Sequence, residues 1–285
     1  MSKPDDEKRV RDAQARLDQM RHEAGGALTG AEARRRAGLD PNEAQDDPPL
    51  DWRMTPLNVT LQVLAVALFL FVLWFLVGAF VGGVWWGATQ VFGPTVGAAL
   101  AIVCDLMITG ALHHDGLLDC ADGLLGHLEK RRRLEVMAEP TVGAFAVVAG
   151  VSVMLVQFAA LSSGEAHVLP VVALWVVSRA TAGLALGTLP MARQGGLAMA
   201  FGGNVDGGGD NDGVSALPGW GAVVMASAVA TVWSATGGPA AMAAGLAAGL
   251  GMLAWSLRRL GGITGDVLGA TIVLIQTAGL VTLAA

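Results

Sequence analysis

Apolar runs of about 20 residues recur along the chain after residue 53, separated by short polar or glycine-rich connectors. A helix needs about 20 apolar residues to cross the roughly 30 Å hydrocarbon core of a bilayer. The fifth and sixth runs are rich in Ala and Gly, which favours close helix packing. The pattern predicts an all-α polytopic membrane protein, a helical bundle of about seven transmembrane helices at 57–82, 92–112, 141–161, 168–190, 219–237, 239–257 and 266–284.

The first 53 residues have a different pattern, with mixed charge, many helix formers and only a thin apolar stripe. Three prolines then interrupt the stretch PNEAQDDPPLDWRM. We therefore predict two domains. Residues 1–53 form a soluble, charged N-terminal extension that is partly helical or flexible, and residues 54–285 form an integral membrane domain that carries the candidate chemistry. The extension is either a solvated tail or a docking and regulatory segment.

The composition agrees with a membrane protein, because 53% of the residues are hydrophobic and only 15% are charged. Ordinary soluble domains contain about 25% charged residues. The two cysteines, Cys104 and Cys120, form no CxxC pair, so neither a disulfide framework nor a zinc site is indicated. The N-terminus contains no apolar stretch typical of a cleavable signal peptide, and we expect none.

Basic residues predict the orientation in the membrane, because cytoplasmic connectors are enriched in Lys and Arg. The basic N-terminus, the KRRR run at 130–133, Arg193 and the pair Arg258–Arg259 all fall on one side if the seven helices alternate in direction. The connectors between them on the other side contain no Lys or Arg. This orientation places the polar connectors 113–140, 191–218 and 258–266 in the cytoplasm, where we expect a polar active-site cleft.

Three aspartates stand close together in HHDGLLDCADG, at positions 115, 119 and 122. On a helix, residues i, i+4 and i+7 lie within about 60° of one another, so the three carboxylates share one face. Like charges at this spacing repel, and a cation such as Mg²⁺ or Mn²⁺, which prefers carboxylate oxygens, would offset the repulsion. Gly116 and Gly123 follow two of the aspartates and would let a bulky ligand or phosphate approach the backbone. The alternative is a polar helix end with two Asp–Gly turns.

Five segments resemble the motifs of one known family, in the same order along the chain. They are TGALHHDGLLDCADGLLG (109–126), RRLEVMAEPTVGAF (132–145), SRA (178–180), LPMARQGGLAMAF (189–201) and RRLGGITGDVLGA (258–270). The first and last are the specific ones, and the resemblance covers about residues 57 to 285. On these motifs the chain is identified as a member of the cobalamin synthase (adenosylcobinamide-GDP ribazoletransferase) family.

The second motif departs from the family pattern. Ala138, Glu139, Pro140 and Val142 stand where the family usually has Lys, Asp, Ser and Arg, so two positive charges are absent. The KRRR run nearby is a candidate to replace them in binding phosphate. The first motif has a milder change, since Ala111 stands where a second glycine is usual.

The resemblance implies an Mg²⁺-dependent membrane phosphotransferase. Family members join adenosylcobinamide-GDP to α-ribazole or its 5′-phosphate, form adenosylcobalamin or its phosphate, and release GMP, in the last steps of vitamin B12 nucleotide-loop assembly. Phosphoryl transfer of this kind depends mostly on positioning and charge neutralisation. The implied location is the bacterial inner membrane with the active site on the cytoplasmic side. The expected partners are the two substrates and membrane lipid, and no nucleic acid.

The resemblance also supports roles for individual acidic and histidine side chains. Asp115, Asp119 and Asp122 are the predicted metal ligands. Asp266, in the TGD sequence of the last motif, would complete the metal site or act as a base. His113 would be a general base or a hydrogen-bond donor to phosphate; its alternative is an interfacial histidine without chemistry.

The predicted roles of the basic residues are less uniform. Arg193 and Arg179 would neutralise the substrate diphosphate, although Arg179 lies inside a predicted span and would otherwise pair with Asp105. The run 130–133 is expected to fix topology and to contact anionic lipid. His114 is not at a motif position and is expected to be structural.

The glycine-rich stretch GGNVDGGGDNDGVSALPG (202–219) predicts a flexible linker or a flap over the substrate. Its DGGGDND resembles a calcium loop, but the glutamate that an EF-hand requires is absent.

Two other functions fit a membrane protein with clustered aspartates. A CDP-alcohol phosphotransferase would contain D-G-x-x-A-R followed by D-G-x-x-x-D-x-x-x-D, and this pattern is absent from the sequence. A divalent-cation transporter would place its polar residues near the middle of the membrane and often contains two related halves. Here the carboxylates collect at one predicted membrane face, which favours chemistry at the surface.

Overall fold

The computed structural model describes residues 56–163, 167–193, 217–233 and 237–285, and residues Thr60–Ala285 form one compact unit. The predicted extension over 1–53 and most of the 202–219 stretch lie outside the described residues. The helices of the described ranges are α1 (Pro56–Phe92), α2 (Pro94–Thr109), α3 (Leu112–Leu125), α4 (Lys130–Val136), α5 (Ala144–Ser162), α6 (Val168–Thr188), α7 (Leu217–Trp233), α8 (Gly237–Leu260) and α9 (Gly265–Leu283).

The predicted all-helical membrane architecture is confirmed, but the count of seven spans is not. Within the described residues, five helices are long and apolar enough to cross a membrane: α1, α5, α6, α8 and α9. A sixth span exists if α2 and α3 are taken together, although these two helices are bent by 90° at their junction. Helix α7 is apolar, and the described part of it covers 17 residues, Leu217–Trp233.

The first predicted connector is wrong, because α1 continues through it. The first two predicted spans, 57–82 and 92–112, require a connector between them in the stretch GGVWWGATQ, yet α1 remains helical to Phe92. Glycines within the stretch do not end the helix; Gly82, for example, packs against Val168 and Val172 of α6. The break comes at Gly93, whose positive φ of 89° few other residues adopt, and Pro94 then begins α2.

Helices α6 and α9 lie at the centre of the bundle. In their most apolar stretches 78% and 61% of residues are buried, against 22% in α1. Helix α9 packs against α3, α5, α6 and α8. The predicted close packing of the Ala- and Gly-rich helix is confirmed in α8, where a Cβ at Gly245 would stand 2.8 Å from the carbonyl oxygen of Ile275 in α9. The tight α8–α9 pair therefore fixes the start of α9, where Asp266 stands.

The junction between α2 and α3 turns the chain sharply. Gly110 and Ala111 both have left-handed backbone angles, with φ values of 59° and 58°. The N–H of Ala111 donates to the carbonyl of Leu106 at 2.7 Å, which closes the end of α2. Ala111 accepts a conformation that favours glycine, and its position is the one where the family usually has glycine. The turn directs α3 away from the α2 axis and onto α9 and α5.

Candidate active site

The three predicted metal-binding aspartates all lie on α3, as the spacing indicated, but their surroundings differ. Asp115 is exposed, while Asp119 and Asp122 are half-buried. Helix α3 packs with α9 along one side and with α5 along another. The aspartates therefore do not form one uniform acidic stripe, and each faces a different neighbour.

Glycines bring α3 into direct backbone contact with α9. A Cβ atom at Gly116 would stand 2.6 Å from the carbonyl oxygen of Asp266, and one at Gly269 would stand 3.1 Å from the carbonyl oxygen of His113. Real Cβ atoms are not found as close as 2.6 Å to a backbone oxygen, so Gly116 permits this approach where a larger residue would push the helices apart. The contact places Asp266 of α9 beside the aspartate helix, although the two lie far apart in the sequence.

A short backbone bridge fastens the fourth and fifth motifs together. Met191 and Ile263 form an isolated parallel bridge, in which the N–H of Ala192 donates to Ile263 and the N–H of Ile263 donates to Pro190, both at 2.8 Å. The bridge satisfies backbone groups in two irregular segments that have no helical partners. It thereby holds the segment that carries Arg193 against the loop that leads to Asp266.

Arg193 and Asp266 form an ion pair as a result. The Nη2 atom of Arg193 lies 3.3 Å from Oδ2 of Asp266, with both side chains partly exposed. The hydroxyl of Thr264 donates to the same oxygen at 3.1 Å and accepts from the N–H of Val267, so Thr264 also caps α9. Arg193 and Thr264 thus both contact Oδ2 of Asp266, and Oδ1 takes part in neither contact.

Asp119 completes this group, which we call the carboxylate cluster: Asp115, Asp119 and Asp266 with Arg193. The Asp119 carboxylate is within electrostatic range of the other two carboxylates and of Arg193. One guanidinium opposes three carboxylates, so the cluster has an excess of negative charge at a half-buried position. Desolvation makes that excess costly unless a cation joins the group.

The carboxylate cluster suits a metal that binds together with its substrate. Among the described residues, no three His, Cys, Asp or Glu side chains form a ready-made metal cage. Mg²⁺ does not require one, because it usually binds to one or two carboxylates and completes its shell with waters and substrate phosphates. Asp115 and Asp119 with the free oxygen of Asp266 fit that chemistry.

Asp122 has a structural partner that the sequence did not predict. Its two carboxylate oxygens accept hydrogen bonds from the N–H groups of Gly143, at 2.6 Å, and Ala146, at 2.9 Å. These are among the N–H groups that the start of α5 leaves without helical partners. Gly143 has no side chain, and a Cβ there would collide with the carboxylate. Asp122 therefore caps α5, and since each oxygen keeps a second lone pair, its metal binding stays a prediction.

Replacing Asp122 with alanine is expected to destabilise the protein by about 1–2 kcal/mol, because two N–H groups lose their acceptor. SDS denaturation of the purified protein in mixed micelles would measure the change in the free energy of unfolding. The matched control is Asp115→Ala, which removes an exposed carboxylate from the same helix and should leave stability unchanged. Equal stability of both variants would contradict the capping role.

Comparisons with known proteins identify the family of the chain. The family model for cobalamin-5-phosphate synthase matches residues 54–284. The chain belongs to the cobalamin-5-phosphate synthase family. The match begins next to the predicted boundary at residue 54 and includes all members of the carboxylate cluster.

Curated relatives in the family are similar over most of their length. The chain is 37% identical over 227 residues to an adenosylcobinamide-GDP ribazoletransferase of Pseudomonas aeruginosa, covering 73% of this chain and 84% of the relative. It is 37% identical to the protein of that name from Pseudomonas syringae, covering 66% and 74%. A third, from Leptothrix cholodnii, is 34% identical and covers 71% and 80%. No solved structure matches the chain.

Two further predicted site residues, Arg179 and His113, lie in a different, interior group. Arg179 of α6 forms a buried ion pair with Asp105 of α2 at 3.4 Å, which is the alternative that the sequence left open for it. Trp175 donates its indole N–H to the same Asp105 oxygen at 2.7 Å. His113 lies near Arg179 and Asp105, and its buried Nδ1 has no hydrogen-bond partner within the part of the chain that the structure describes. The structure thus groups His113 and Arg179 apart from the carboxylate cluster, and their catalytic roles stay predictions.

The glycines of the first motif serve helix packing. Gly116 is covered by the backbone of Asp266, as described above, and a Cβ at Gly123 would collide with Met137 beyond α4. The space beside each glycine is filled by the chain itself. Contact between these glycines and a ligand stays a prediction.

The basic residues of the KRRR run on α4 make different contacts. Arg133 is buried, and its Nη1 donates to the carbonyls of Gly123 and Leu124 at 2.9 and 3.0 Å, which satisfies the end of α3. The predicted lipid contact is therefore wrong for Arg133, and its contribution to topology stays a prediction. Arg131 and Arg132 are exposed and hydrogen-bond to Glu135, and these bonds hold the pKa of that carboxyl below its usual value.

An open groove of about 570 Å³ lies between α4 and the segment that carries Arg193. Its lining residues are Lys130, Arg131, Leu134, Glu135, Ala138 and Arg193. Ala138 is one of the positions where a lysine is usual in the family, and its small side chain forms part of the groove wall. Because Arg193 belongs both to this groove and to the carboxylate cluster, the two features are contiguous.

Proposed function

We propose that this chain is an adenosylcobinamide-GDP ribazoletransferase, which transfers the cobinamide-phosphate moiety of adenosylcobinamide-GDP to α-ribazole or its 5′-phosphate. Adenosylcobalamin or its phosphate forms and GMP is released. The observation that carries the proposal is the carboxylate cluster, in which Asp119, Asp266 and Arg193 come together from three separate motifs of the family. The family match favours this reaction over a CDP-alcohol phosphotransferase or a cation transporter.

The reaction replaces the anhydride bond between the cobinamide phosphate and GMP by an ester bond to ribazole. A hydroxyl oxygen of the ribazole attacks the phosphorus that carries cobinamide and forms a new P–O bond. The bond to the bridging oxygen of the diphosphate breaks, and GMP leaves with that oxygen and its electron pair. The hydroxyl proton would pass to a base, and Asp266 is the candidate, because its Oδ1 takes part in neither the ion pair with Arg193 nor the hydrogen bond from Thr264.

Other side chains of the site would neutralise charge, hold the metal and position the substrate. The positive charge of Arg193 would stabilise the negative charge of the diphosphate. The ion pair with Asp266 holds the guanidinium group of Arg193 in a fixed direction. Asp115, Asp119 and Asp266 would hold Mg²⁺, which when bound neutralises phosphate charge and lowers the pKa of an attacking hydroxyl. Gly116 keeps α3 and α9 close enough for these carboxylates to act on one substrate.

The proposed orientation places the cluster on the cytoplasmic side of the bacterial inner membrane, where nucleotides are available. Arg258 and Arg259 occupy the last turn of α8, a few residues before Asp266. Helix α4, which carries the basic run, packs against α8. The basic residues and the carboxylate cluster therefore lie at one end of the bundle, and basic ends face the cytoplasm.

The test of the proposal is release of GMP by the purified, detergent-solubilised protein. The reaction contains adenosylcobinamide-GDP and α-ribazole, with Mg²⁺ or with a chelator. Release that requires both ribazole and Mg²⁺ is the expected result. A folded protein that releases no GMP with either ribazole or ribazole phosphate would contradict the proposed reaction, and release that persists in chelator would contradict the role of Mg²⁺.

A further inference from the structure

The groove beside the carboxylate cluster contains a cation whose charge is not neutralised by a neighbour. Arg131 pairs with Glu135 at 2.9 Å, and Arg193 pairs with Asp266 at 3.3 Å. Lys130 also lines the groove, but among the described residues it has no hydrogen-bond or ion-pair partner. Its ammonium group is therefore available to an anion that enters the groove.

The position of Lys130 is set by the loop that leads to Asp266. A Cβ at Gly261 would stand 2.7 Å from the Nζ of Lys130, so the ammonium group occupies the space that a side chain there would fill. Gly261 has a φ of 72°, which also favours glycine. Lys130 thus rests on the segment between α8 and α9, which also leads to Asp266.

The size and charge of the groove indicate the class of ligand. Sites for small molecules usually have volumes of roughly 300–1,000 Å³, and the groove has about 570 Å³. Three cations and a single carboxylate line it, so it attracts anions. Lysine binds phosphate as a point charge from a range of directions, which suits a diphosphate followed by a nucleoside.

We propose that this groove binds the nucleoside diphosphate end of the substrate, with Lys130 contacting the phosphate that departs with the nucleoside. The inference rests on the proposed function and adds to it the place of the leaving group. Arg193 belongs both to the groove and to the carboxylate cluster, so the diphosphate would extend from the cluster into the groove. An anionic lipid headgroup presents the same phosphate chemistry, and the experiment must separate the two sources.

The experiment measures binding of GDP and GMP to the detergent-solubilised full chain in Mg²⁺ buffer, by isothermal titration. Lys130→Gln is expected to weaken GDP binding by about 10-fold, the usual value of one charged hydrogen bond, and Lys130→Arg to restore it. Lys130 is exposed, so these variants should fold. The matched control is Arg132→Gln on the same helix. It removes the same charge, but Arg132 pairs with Glu135 and Glu139 and does not line the groove, so GDP binding should be unchanged.

A second arm replaces GDP with phosphatidylglycerol added to the micelles, read as a rise in the unfolding temperature. If Lys130→Gln affects only the response to phosphatidylglycerol, or if Arg132→Gln weakens GDP binding equally, the groove is a lipid-facing basic surface and the inference is overturned. Wild-type protein that binds no GDP overturns it as well. None of these readings needs turnover, so they are distinguishable from a failure of the GMP-release assay, which concerns the proposed function.

In the turnover assay, Lys130→Gln is expected to raise the KM for adenosylcobinamide-GDP by about the same 10-fold factor and to leave the KM for α-ribazole unchanged. A change in both KM values would show that the variant disturbs the whole site and would count against a contact confined to the nucleotide.

Discussion

Replacing Asp119 with asparagine is expected to reduce the rate of GMP release by more than about 100-fold. Loss of even an outer partner of a metal ligand typically costs about 10–100-fold, and Asp119 is the central member of the carboxylate cluster. Asparagine has nearly the same size, so the variant removes charge and proton affinity without leaving a void. The measurement is GMP release at saturating adenosylcobinamide-GDP and α-ribazole, with the Mg²⁺ concentration varied.

The control for Asp119→Asn is Glu129→Gln, which removes an exposed carboxylate just before α4 and should retain full activity. Unfolding temperatures of both variants should match the wild type, so that a loss of rate reports on chemistry. A variant Asp119→Asn that retained a third or more of the wild-type rate would move the reaction away from the carboxylate cluster.

Breaking the interior ion pair is expected to have the largest effect on stability. Arg179→Ala leaves Asp105 buried without its cation, and removing one partner of a buried pair usually costs about 3–5 kcal/mol. The reverse change, Asp105→Ala, also removes the acceptor of the Trp175 indole N–H. The double variant should lose less than the sum of the two single losses, because neither charge is then left alone. SDS denaturation in mixed micelles measures all three.

This experiment also decides between the two roles considered for Arg179. If Arg179 binds the substrate diphosphate, Arg179→Gln should raise the KM for adenosylcobinamide-GDP while the protein stays stable. If it serves the ion pair, the variant should lose stability while the protein that remains folded keeps its KM. The side chains of Arg179 and Asp105 are only 7% and 6% exposed, so we expect the second result.

Local periodicity was sufficient to predict the helices and part of the site. The spacing of Asp115, Asp119 and Asp122 requires only the geometry of one helix, and the structure places all three on α3. Runs of apolar residues likewise predicted where the helices lie, because burial in lipid depends on composition. The family motifs added Asp266 and Arg193, which the structure brings to the same cluster.

Contacts between distant segments were not predictable in the same way. Asp122 caps α5 only because Gly143 lies beside it in space, and nothing in the spacing of the aspartates indicates that partner. The buried position of Arg133 depends in the same way on the end of α3. The 90° bend between α2 and α3 arises at Gly110–Ala111, where alanine gave no signal of a left-handed backbone.

The packing of α3 against α9 also determines when the carboxylate cluster can form during synthesis of the chain. Asp266 lies 147 positions after Asp119 in the chain, so the carboxylate cluster is incomplete until the helix that begins at Gly265 has been made. At a synthesis rate of about 5–20 residues per second, the delay is roughly 7–30 s. Throughout that interval a growing chain already displays the aspartate motif on the ribosome but lacks the partner that closes it. Assembly of the carboxylate cluster therefore waits until the helices between α3 and α9 have been made.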